Sequence, residues 1–517
     1  MLLSKLSPFV IFLKKYKAAI LAALLFVLLC YSFMLTHYTL QIDEETWIKN
    51  TDTQLIKNIW VNQGRFGLYF FDRIFSPLGR YVPVLWDILA VLIYFSAGIV
   101  FAFSFYMVNG DFNKFSIFAF LSVFPAVPFV NGDFLSFSMF NFQQSLAMLT
   151  ISAGFLCTLI YFAKKKKRYF FLSIALGFAS VSFFQAFASV YITAVAAYLV
   201  MAQLKCEYHK KELIKNVLHA FIIFIVFILG YFAMNVLLNN IFSLSGAAYS
   251  GGYVGWSGNI GENMLYTLLG AAKVIIGYGA IGGAAIIIIE AAFIVVSAKL
   301  IKSRKGALNR LWLGVSMFLF FISPFLMNFA LLNWRFLGRI LLSLSLALAL
   351  ELLIFINFSF KCKRNKVLSC IVVGIVLFVN AGSMNWLFFG NYLSYEEDKA
   401  FSEEIIMMLE EKNIDYENKP ILFVGQISKV TARDKYVQSS SFFSWDDGNN
   451  KRIHDFLKAE GYNTINPAND LRTVGYYMSK DMPCWPATDS IKSSDKIIVI
   501  KFSEPSEKWF VVNGITK

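Results

Sequence analysis

Three consecutive carboxylates, Asp43, Glu44 and Glu45, stand near the start of a polar stretch that follows the first long apolar run. The segment around them, HYTLQIDEETW, contains no lysine or arginine that could neutralise them. A carboxylate can take a proton from an attacking hydroxyl, and neighbouring negative charge raises the pKa of one member of such a cluster. A solvated acidic start to an outer loop is the alternative interpretation. We therefore treat the three acids as candidate catalytic residues.

Arginines are natural candidates for binding a phosphate, because the guanidinium fork matches phosphate oxygens. Arg65 lies in QGRFG, where glycines let the backbone approach a ligand closely. Arg335 and Arg339 lie in LLNWRFLGR, four residues apart, and a helix would place both on one face. Anchoring in lipid headgroups beside Trp334 is the alternative explanation for that pair.

Asp133 and Trp256 are further candidates for substrate binding. Asp133, in FVNGDF, could bind a sugar or a metal ion, although an Asn-Gly-Asp turn explains it without a ligand. Trp256 lies in a loop rich in glycine and serine and could stack on a sugar ring, and anchoring at the membrane interface explains it equally well. The cysteines and histidines show no CxxC or HExxH motif, so no zinc site is predicted, while an assisting divalent cation is left open.

The composition places these candidates in a membrane protein. Of the 517 residues, 57% are hydrophobic and 15% are charged, which is too apolar for a soluble fold of this length. The net charge of +14 comes from lysines and arginines concentrated between apolar runs, a pattern typical of the positive-inside rule. We therefore predict an all-α polytopic membrane protein with membrane lipid around it and no nucleic-acid partner.

About eleven apolar runs are predicted to cross the membrane as helices, because each approaches the ~20 residues that span a bilayer. They cover residues 18–36, 83–107, 115–131, 143–163, 169–185, 187–204, 217–237, 280–301, 311–333, 337–358 and 367–387. With eleven spans every basic segment falls on one side, which predicts a cytoplasmic N-terminus and an outer C-terminus. The apolar stretch 264–280, which carries Lys273, is predicted to be an interfacial or re-entrant helix.

This topology divides the chain into two parts. Residues 1–387 form the membrane region, with a long first extracytoplasmic loop, 37–82, that is predicted to contain amphipathic helices. Residues 388–517 are predicted to form a small extracytoplasmic α/β domain. Its predicted helices are YEEDKAFSEEIIMMLEEK and NKRIHDFLKAEG, and its predicted strands are ILFVG, DKIIVIKF and KWFVV.

The DEE motif at the start of a long first outer loop, followed by GRFG, resembles the GT-C class of integral membrane glycosyltransferases. Within that class the chain is most similar to the bacterial O-antigen glucosyltransferases responsible for serotype conversion. The likeness covers the membrane region and the first loop. It implies a sugar donor on a polyprenyl phosphate, a surface polysaccharide or lipid-linked glycan as acceptor, and a place in the bacterial inner membrane.

The resemblance also implies inverting transfer with one carboxylate as general base. The acidic pair of the family corresponds to Asp43 and Glu44, and the third acid, Glu45, leaves the identity of the base open. A transporter or flippase of lipid-linked sugars is an alternative, although we find no internal repeat and the polar residues cluster outside. A polysaccharide polymerase or ligase is a further alternative that the sequence separates poorly.

Overall fold

The computed structural model consists mainly of helices and describes residues 7–48, 53–75, 81–205, 209–244, 254–256, 258–333, 335–359, 363–427 and 441–515. The chain folds into two compact units. The first comprises Met1–Thr36 and Asp52–Trp386, and the second comprises His37–Thr51 and Leu387–Lys517. The segment that carries the three acids therefore belongs to the same unit as the C-terminal residues.

Helices are the regular secondary structure of the first unit in its described part. In chain order the α-helices are Pro8–Cys30, Ser32–Thr36, Thr53–Asn62, Phe66–Phe75, Leu85–Asn109, Lys114–Val123, Asp133–Leu135, Asn141–Lys164, Lys167–Phe183, Phe187–Leu204, Lys210–Ile241, Ile260–Ile275, Gly283–Ser303, Ala307–Ile322, Leu326–Leu331, Leu342–Ser359 and the first part of Lys363–Glu411. A π-helical turn, Pro128–Gly132, and two 3-10 turns, Ser323–Phe325 and Gly338–Ile340, join some of them. Long apolar helices satisfy their own backbone groups, which a lipid environment requires.

Nine helices in the described residues are long and apolar enough to cross a membrane. Two more lie at predicted spans: Pro8–Cys30, which carries Lys14, Lys15 and Lys17, and the 17-residue helix Lys167–Phe183. The chain is thus a polytopic helical membrane protein, as predicted. The count of eleven spans stays a prediction, as does the placement of the helix at 264–280 in the membrane interface.

Two buried tyrosines, one in the first helix and one at its C-terminal cap, bind the segments that flank the neighbouring helix Lys114–Val123. The hydroxyl of Tyr16 donates to the carbonyl of Phe112 at 2.9 Å, and that of Tyr31 donates to the carbonyl of Pro125 at 2.6 Å. Both side chains are fully buried. Each hydroxyl therefore satisfies a backbone carbonyl outside regular helix in a place where water is excluded.

The second unit contains a three-stranded sheet with the strand order β1-β3-β2. Strand β1 (Ile421–Val424) is parallel to β3 (Ile498–Lys501), and β2 (Ile491–Ser493) is antiparallel to β3. Besides the end of Lys363–Glu411, its helices are Glu45–Ile48, Asn450–Ala459, Asn469–Ser479 and Glu507–Val512, with 3-10 turns at Trp445–Asp447 and Thr488–Ser490. The side chains of β1 and β3 are buried throughout, as expected for strands covered on both faces.

One predicted strand of this unit is wrong. KWFVV is part of the helix Glu507–Val512, which begins after Ser506, whose side chain accepts from the backbone N–H of Trp509. The helix buries Trp509 and Phe510 against the core and leaves Val511 80% exposed. The N-terminal cap and this one-sided burial override the high β propensity of the segment.

Candidate functional site

The three acids occupy a tight turn that leads into the helix Glu45–Ile48. The backbone N–H of Glu44 donates to the carbonyl of Gln41 at 3.0 Å, and the N–H of Gln41 donates to Oε2 of Glu44 at 2.9 Å. The side chain of Glu44 is fully buried. Glu44 therefore closes the turn, and this internal bond makes it the least available of the three acids. We call residues 41–45 the acid turn.

Asp43 lies at the apex of the acid turn with a backbone φ of +84°. Residues other than glycine seldom adopt this left-handed conformation, and aspartate is one of those that tolerate it in turns. The side chain of Asp43 is 59% exposed, in contrast to the buried Glu44. Of the two acids that the resemblance to the family matches, Asp43 is the one that a substrate can reach.

Glu45 is buried, with only 1% of its side chain exposed. Burial raises the pKa of Glu45 to about 7, although the guanidinium of Arg452 lowers it. Oε1 of Glu45 accepts from Nη1 of Arg452 at 2.5 Å, and Oε2 has no donor among the described residues. The charge of this carboxyl therefore depends on one cation and changes near neutral pH.

Arg452, on the helix Asn450–Ala459, contacts the acid turn and is a candidate site residue that the sequence does not indicate. Nη2 of this arginine donates to Asp43 at 3.0 Å and to Asp446 at 3.1 Å, in addition to the bond from Nη1 to Glu45. A single guanidinium thus bridges two acids of the turn and a third carboxylate. More than 400 positions separate Arg452 from Asp43, and only the fold brings them together.

Asp133 and Arg339 meet in the first unit. Asp133 is buried, and its Oδ2 accepts from the backbone N–H of Arg339 at 2.9 Å, while Nη1 of Arg339 lies 3.8 Å from its Oδ1. The guanidinium of Arg339 also lies 5.6 Å from the ring centre of Phe137, and its side chain is 38% exposed. Asp133 is therefore better suited to orient Arg339 than to bind a sugar directly.

The structure contradicts the prediction that Arg335 and Arg339 share a helix face. Arg335 lies outside any helix, and Arg339 lies in the 3-10 turn Gly338–Ile340 that precedes the helix Leu342–Ser359. Backbone contacts explain the difference. The N–H of Arg335 donates to Oδ1 of Asn333, and a Cβ on Gly338 would lie 1.8 Å from the carbonyl oxygen of Phe129, so the two backbones touch.

Arg65 follows a second glycine that has no room for a side chain. Gly64 has a φ of +72°, and a Cβ there would lie 2.3 Å from the hydroxyl of Tyr231 and 2.8 Å from Nε2 of Gln185. That hydroxyl donates to the carbonyl of Gly64, and Nε2 of Gln185 donates to the carbonyl of Gln63. The half-buried guanidinium of Arg65 lies 4.8 Å from the ring centre of Phe184. The QGR turn therefore presents its arginine from a fixed backbone.

Trp256 is 53% exposed although its indole N–H is bonded. Nε1 donates to the carbonyl of Ala330 at 2.8 Å, and the preceding N–H, of Gly255, donates to the carbonyl of Leu331. The exposed aromatic ring is thus fastened to the turn that leads to Arg335. A held, exposed indole is suited to stacking on a sugar ring.

The predicted residues form separate groups in the two units. The acid turn and Arg452 lie in the second unit, whereas Asp133 with Arg339, the turn at Arg65, and Trp256 lie in the first. Among the described residues, no group of three or more histidine, cysteine, aspartate or glutamate side chains is arranged to hold a metal ion.

Comparison with family models assigns most of the membrane region to a known family. A family model described as Glucosyl transferase GtrII matches residues 32–334, more than half of the chain. The match contains the acid turn, Arg65, Asp133 and Trp256, and it ends before Arg335, Arg339 and Arg452. No curated protein and no solved structure is significantly similar to the chain.

Proposed function

Because the chain belongs to the GtrII family of glucosyl transferases, we propose that it transfers a hexose, in the first instance glucose, to a cell-surface polysaccharide such as O-antigen. The proposed donor is the sugar linked to a polyprenyl phosphate. The resemblance identified from the sequence is confirmed at the level of the family. The donor, the acceptor and the stereochemistry are proposals that rest on the residues described above.

The reaction requires a base that takes the proton of the acceptor hydroxyl. It also requires cationic groups that stabilise the negative charge of the departing phosphate. The acceptor hydroxyl attacks the anomeric carbon and gives its proton to a carboxylate, while the bond from that carbon to the phosphate oxygen breaks. The phosphate leaves with the electron pair, so cationic groups that bind it lower the barrier. Attack from the side opposite the phosphate inverts the anomeric centre.

We assign the role of the base to Asp43. Its exposed carboxylate is the observation that carries this proposal, because a base must reach the acceptor hydroxyl. Glu44 is engaged within the turn, and Glu45 is buried against Arg452. We therefore propose that these two acids determine the conformation and the charge of the acid turn and do not contact the substrate.

We assign the donor phosphate to the arginines of the first unit, with Arg339 as the first choice. A buried carboxylate orients Arg339, and its guanidinium remains partly exposed. Arg65 and the exposed Arg335 are further candidates for the same role. Trp256 is proposed to stack on a sugar ring.

The chemistry is proposed to take place on the outer face of the bacterial inner membrane. The distribution of basic segments supports this orientation, since it places the N-terminus in the cytoplasm and the acid turn outside. Residues 388–517 are proposed to be an extracytoplasmic α/β domain that follows a membrane region, 1–387.

Two measurements test the function together. Surface polysaccharide from cells with and without the gene is compared by mass spectrometry, and the expected result is an additional hexose on the polysaccharide only when the gene is present. Purified protein in liposomes is then given polyprenyl-phosphate glucose and acceptor glycan on the same side of the bilayer. Transfer is expected, whereas unchanged polysaccharide and no transfer in liposomes would overturn the proposal.

A further inference from the structure

Arg452 lies beyond residue 334, where the family match ends, yet it contacts acids inside that match. Its guanidinium joins Glu45 and Asp43 through different nitrogens, at 2.5 and 3.0 Å, and its side chain is 15% exposed. We propose that Arg452 is a positioning residue of the transfer reaction, which holds the Asp43 carboxylate in a fixed orientation for proton abstraction. This inference rests on the proposed function and adds a residue from outside the matched region to the site.

These contacts depend on the planar shape of the guanidinium. Nη1 binds Glu45, and Nη2 is shared by Asp43 and Asp446, so the planar fork sets the distance between three carboxylates. An ammonium group offers a point charge and has no fixed fork. A lysine at position 452 is therefore expected to restore the charge but only part of the geometry.

The same contacts determine the pH at which the charge of the acid turn changes. The charged groups that face Glu45 are Arg452 and Asp43, and Asp446 lies on the other side of the guanidinium. Without Arg452, the buried Glu45 would lose the cation that favours its ionised form, and its pKa would rise from about 7 to a higher value. Glu45 would therefore take up its proton at a higher pH. The acidic limb of the activity profile is expected to move to higher pH as well.

The test is the pH profile of transfer by full-length protein in liposomes, for wild type, R452A, R452K and K451A. For R452A we expect kcat to fall about 10²-fold, as for other misplaced catalytic groups, with an unchanged donor KM and an acidic limb at higher pH. R452K should recover part of kcat. Lys451 is the control, because this neighbouring cation is 61% exposed and pairs with Asp455 instead.

A second readout does not depend on activity. Hydrogen exchange of the peptide containing Glu45–Ile48 should become faster in R452A and remain as in wild type in K451A. If wild type transfers no sugar, the proposed function fails, and the exchange result still decides whether Arg452 holds the acid turn. Unchanged exchange in R452A, or a wild-type kcat and pH profile, would overturn the role of Arg452.

A different observation concerns a cavity of about 300 Å³ at the ends of three helices that are able to span a membrane. It is lined by Gln203, Ser303, Arg304, Lys305, Asn309 and Leu313. The described lining thus carries two cations and no carboxylate. Gln203 is 1% exposed, its Nε2 donates to Ser316 at 2.5 Å, and its Oε1 has no donor in the described part of the chain.

These features favour a ligand that brings both a phosphate and a hydroxyl donor. Two cations match a phosphate, and the buried acceptor of Gln203 matches a hydroxyl. Helix ends lie at the depth of lipid headgroups. We infer that the cavity binds the headgroup of an anionic phospholipid that carries hydroxyl groups, as phosphatidylglycerol does.

The test is lipid retention by purified full-length protein, measured by native mass spectrometry with phosphatidylglycerol or phosphatidylcholine. Preferential binding of phosphatidylglycerol is expected, and K305Q should weaken it about fivefold, since one surface cation contributes about that factor. K302Q is the control, because Lys302 lies in the same segment but does not line the cavity. Equal binding of the two lipids, equal effects of the two variants, or full competition by glycerol phosphate would overturn a lipid site.

Discussion

Arg339 contacts Asp133 through both its backbone and its side chain. The backbone N–H donates to one carboxylate oxygen at 2.9 Å, and the guanidinium lies 3.8 Å from the other. The buried aspartate thus fixes the main chain at Arg339 and the direction of its charged group. The pair joins the turn after Gly338 to the helix that begins at Asp133.

This relationship predicts that Asp133 and Arg339 act as a unit on the donor. Asp133→Asn keeps the size of the side chain and removes its charge, and Arg339→Gln removes the cation. Each should raise the donor KM about tenfold or more, the cost of a lost charge-assisted hydrogen bond. The double variant should be no worse than the more damaging single variant, because both changes disturb the same contact. Additive effects would show that the two residues act separately. An unchanged donor KM would favour the alternative explanation, in which Arg339 anchors in lipid headgroups.

Asp43→Asn is expected to abolish transfer while the protein still folds. The amide keeps the shape of the side chain but cannot accept the proton, and loss of a general base lowers the rate about 10²–10⁴-fold. Asp446→Asn is the matched variant, because it removes a different carboxylate from the same nitrogen of Arg452. Its effect should be much smaller. Comparable losses in the two variants would indicate that Asp43 serves the ion-pair cluster and not the proton transfer.

Gly64→Ala tests whether the backbone of the QGR turn is required. The new methyl group would have to enter the space of the Tyr231 hydroxyl at a φ of +72°, a combination expected to cost about 1–3 kcal/mol. A lower Tm and a higher donor KM should follow, because Arg65 would shift with the turn. Gly382→Ala is the control, since a Cβ at this exposed helical position meets no atom within 4 Å. Equal thermal stability of the two variants would contradict this explanation.

His454 makes a contribution to the stability of the second unit that acid should remove. Its ring nitrogens lie 2.8 Å from Thr464 Oγ1 and from the carbonyl oxygen of Ile421, and burial lowers its pKa to about 3. The folded pKa is below the unfolded value of about 6.5, so the unfolded chain binds the proton first. Stability is therefore lost as pH falls from about 6.5 toward 3, by up to about 1.4 kcal/mol per pH unit.

The measurement is hydrogen exchange of the helix Asn450–Ala459 in full-length protein at pH 5 and pH 7, corrected for intrinsic exchange. His454→Gln should be less protected than wild type at pH 7. This difference should shrink at pH 5, because acid removes the contribution of the neutral histidine from wild type only. Glu45 contributes with the opposite sign, because its raised pKa makes ionisation above about pH 4.5 destabilising, and the comparison with the variant removes that contribution.

The orientation of the chain is open to a direct test. A reporter that is active only in the cytoplasm should be silent when it is fused to the C-terminus, because an odd number of spans sorts the basic segments to the other side. The same reporter inserted after Lys305, in a segment predicted to be cytoplasmic, should be active. Activity at the C-terminus would overturn the outer placement of the acid turn.

Periodicity was sufficient to predict some of the regular elements of the second unit, whereas KWFVV, predicted as a strand, is a helix. The strands at Ile421–Val424 and Ile498–Lys501 and the helix Asn450–Ala459 follow from apolar runs and helical spacing. LLNWRFLGR was predicted as helix because it borders an apolar run, and the close backbone contact at Gly338 instead requires an irregular turn. Periodicity carries no information about such a contact.

Tertiary contacts within the candidate site could not be predicted in the same way. The acids were identified from their type and clustering, and Asp133 and Arg339 were each singled out without being paired. The pairing of Asp43 with Arg452 depends on the fold of the second unit, which brings together residues from near the two ends of the chain. Residue types therefore indicated the chemistry, and long-range packing decided which charges meet.

Gly64 and Gly338 each precede a candidate arginine and each lack space for a Cβ. In both places the glycine lets the backbone press against a neighbouring group, and the next side chain is thereby directed. Relatives that keep the arginine should also keep the glycine, and those that lose one should lose the other. The two residues of each Gly-Arg pair are then expected to be kept or lost together. Their presence could distinguish, in sequence, relatives that use the same donor from relatives that have changed it.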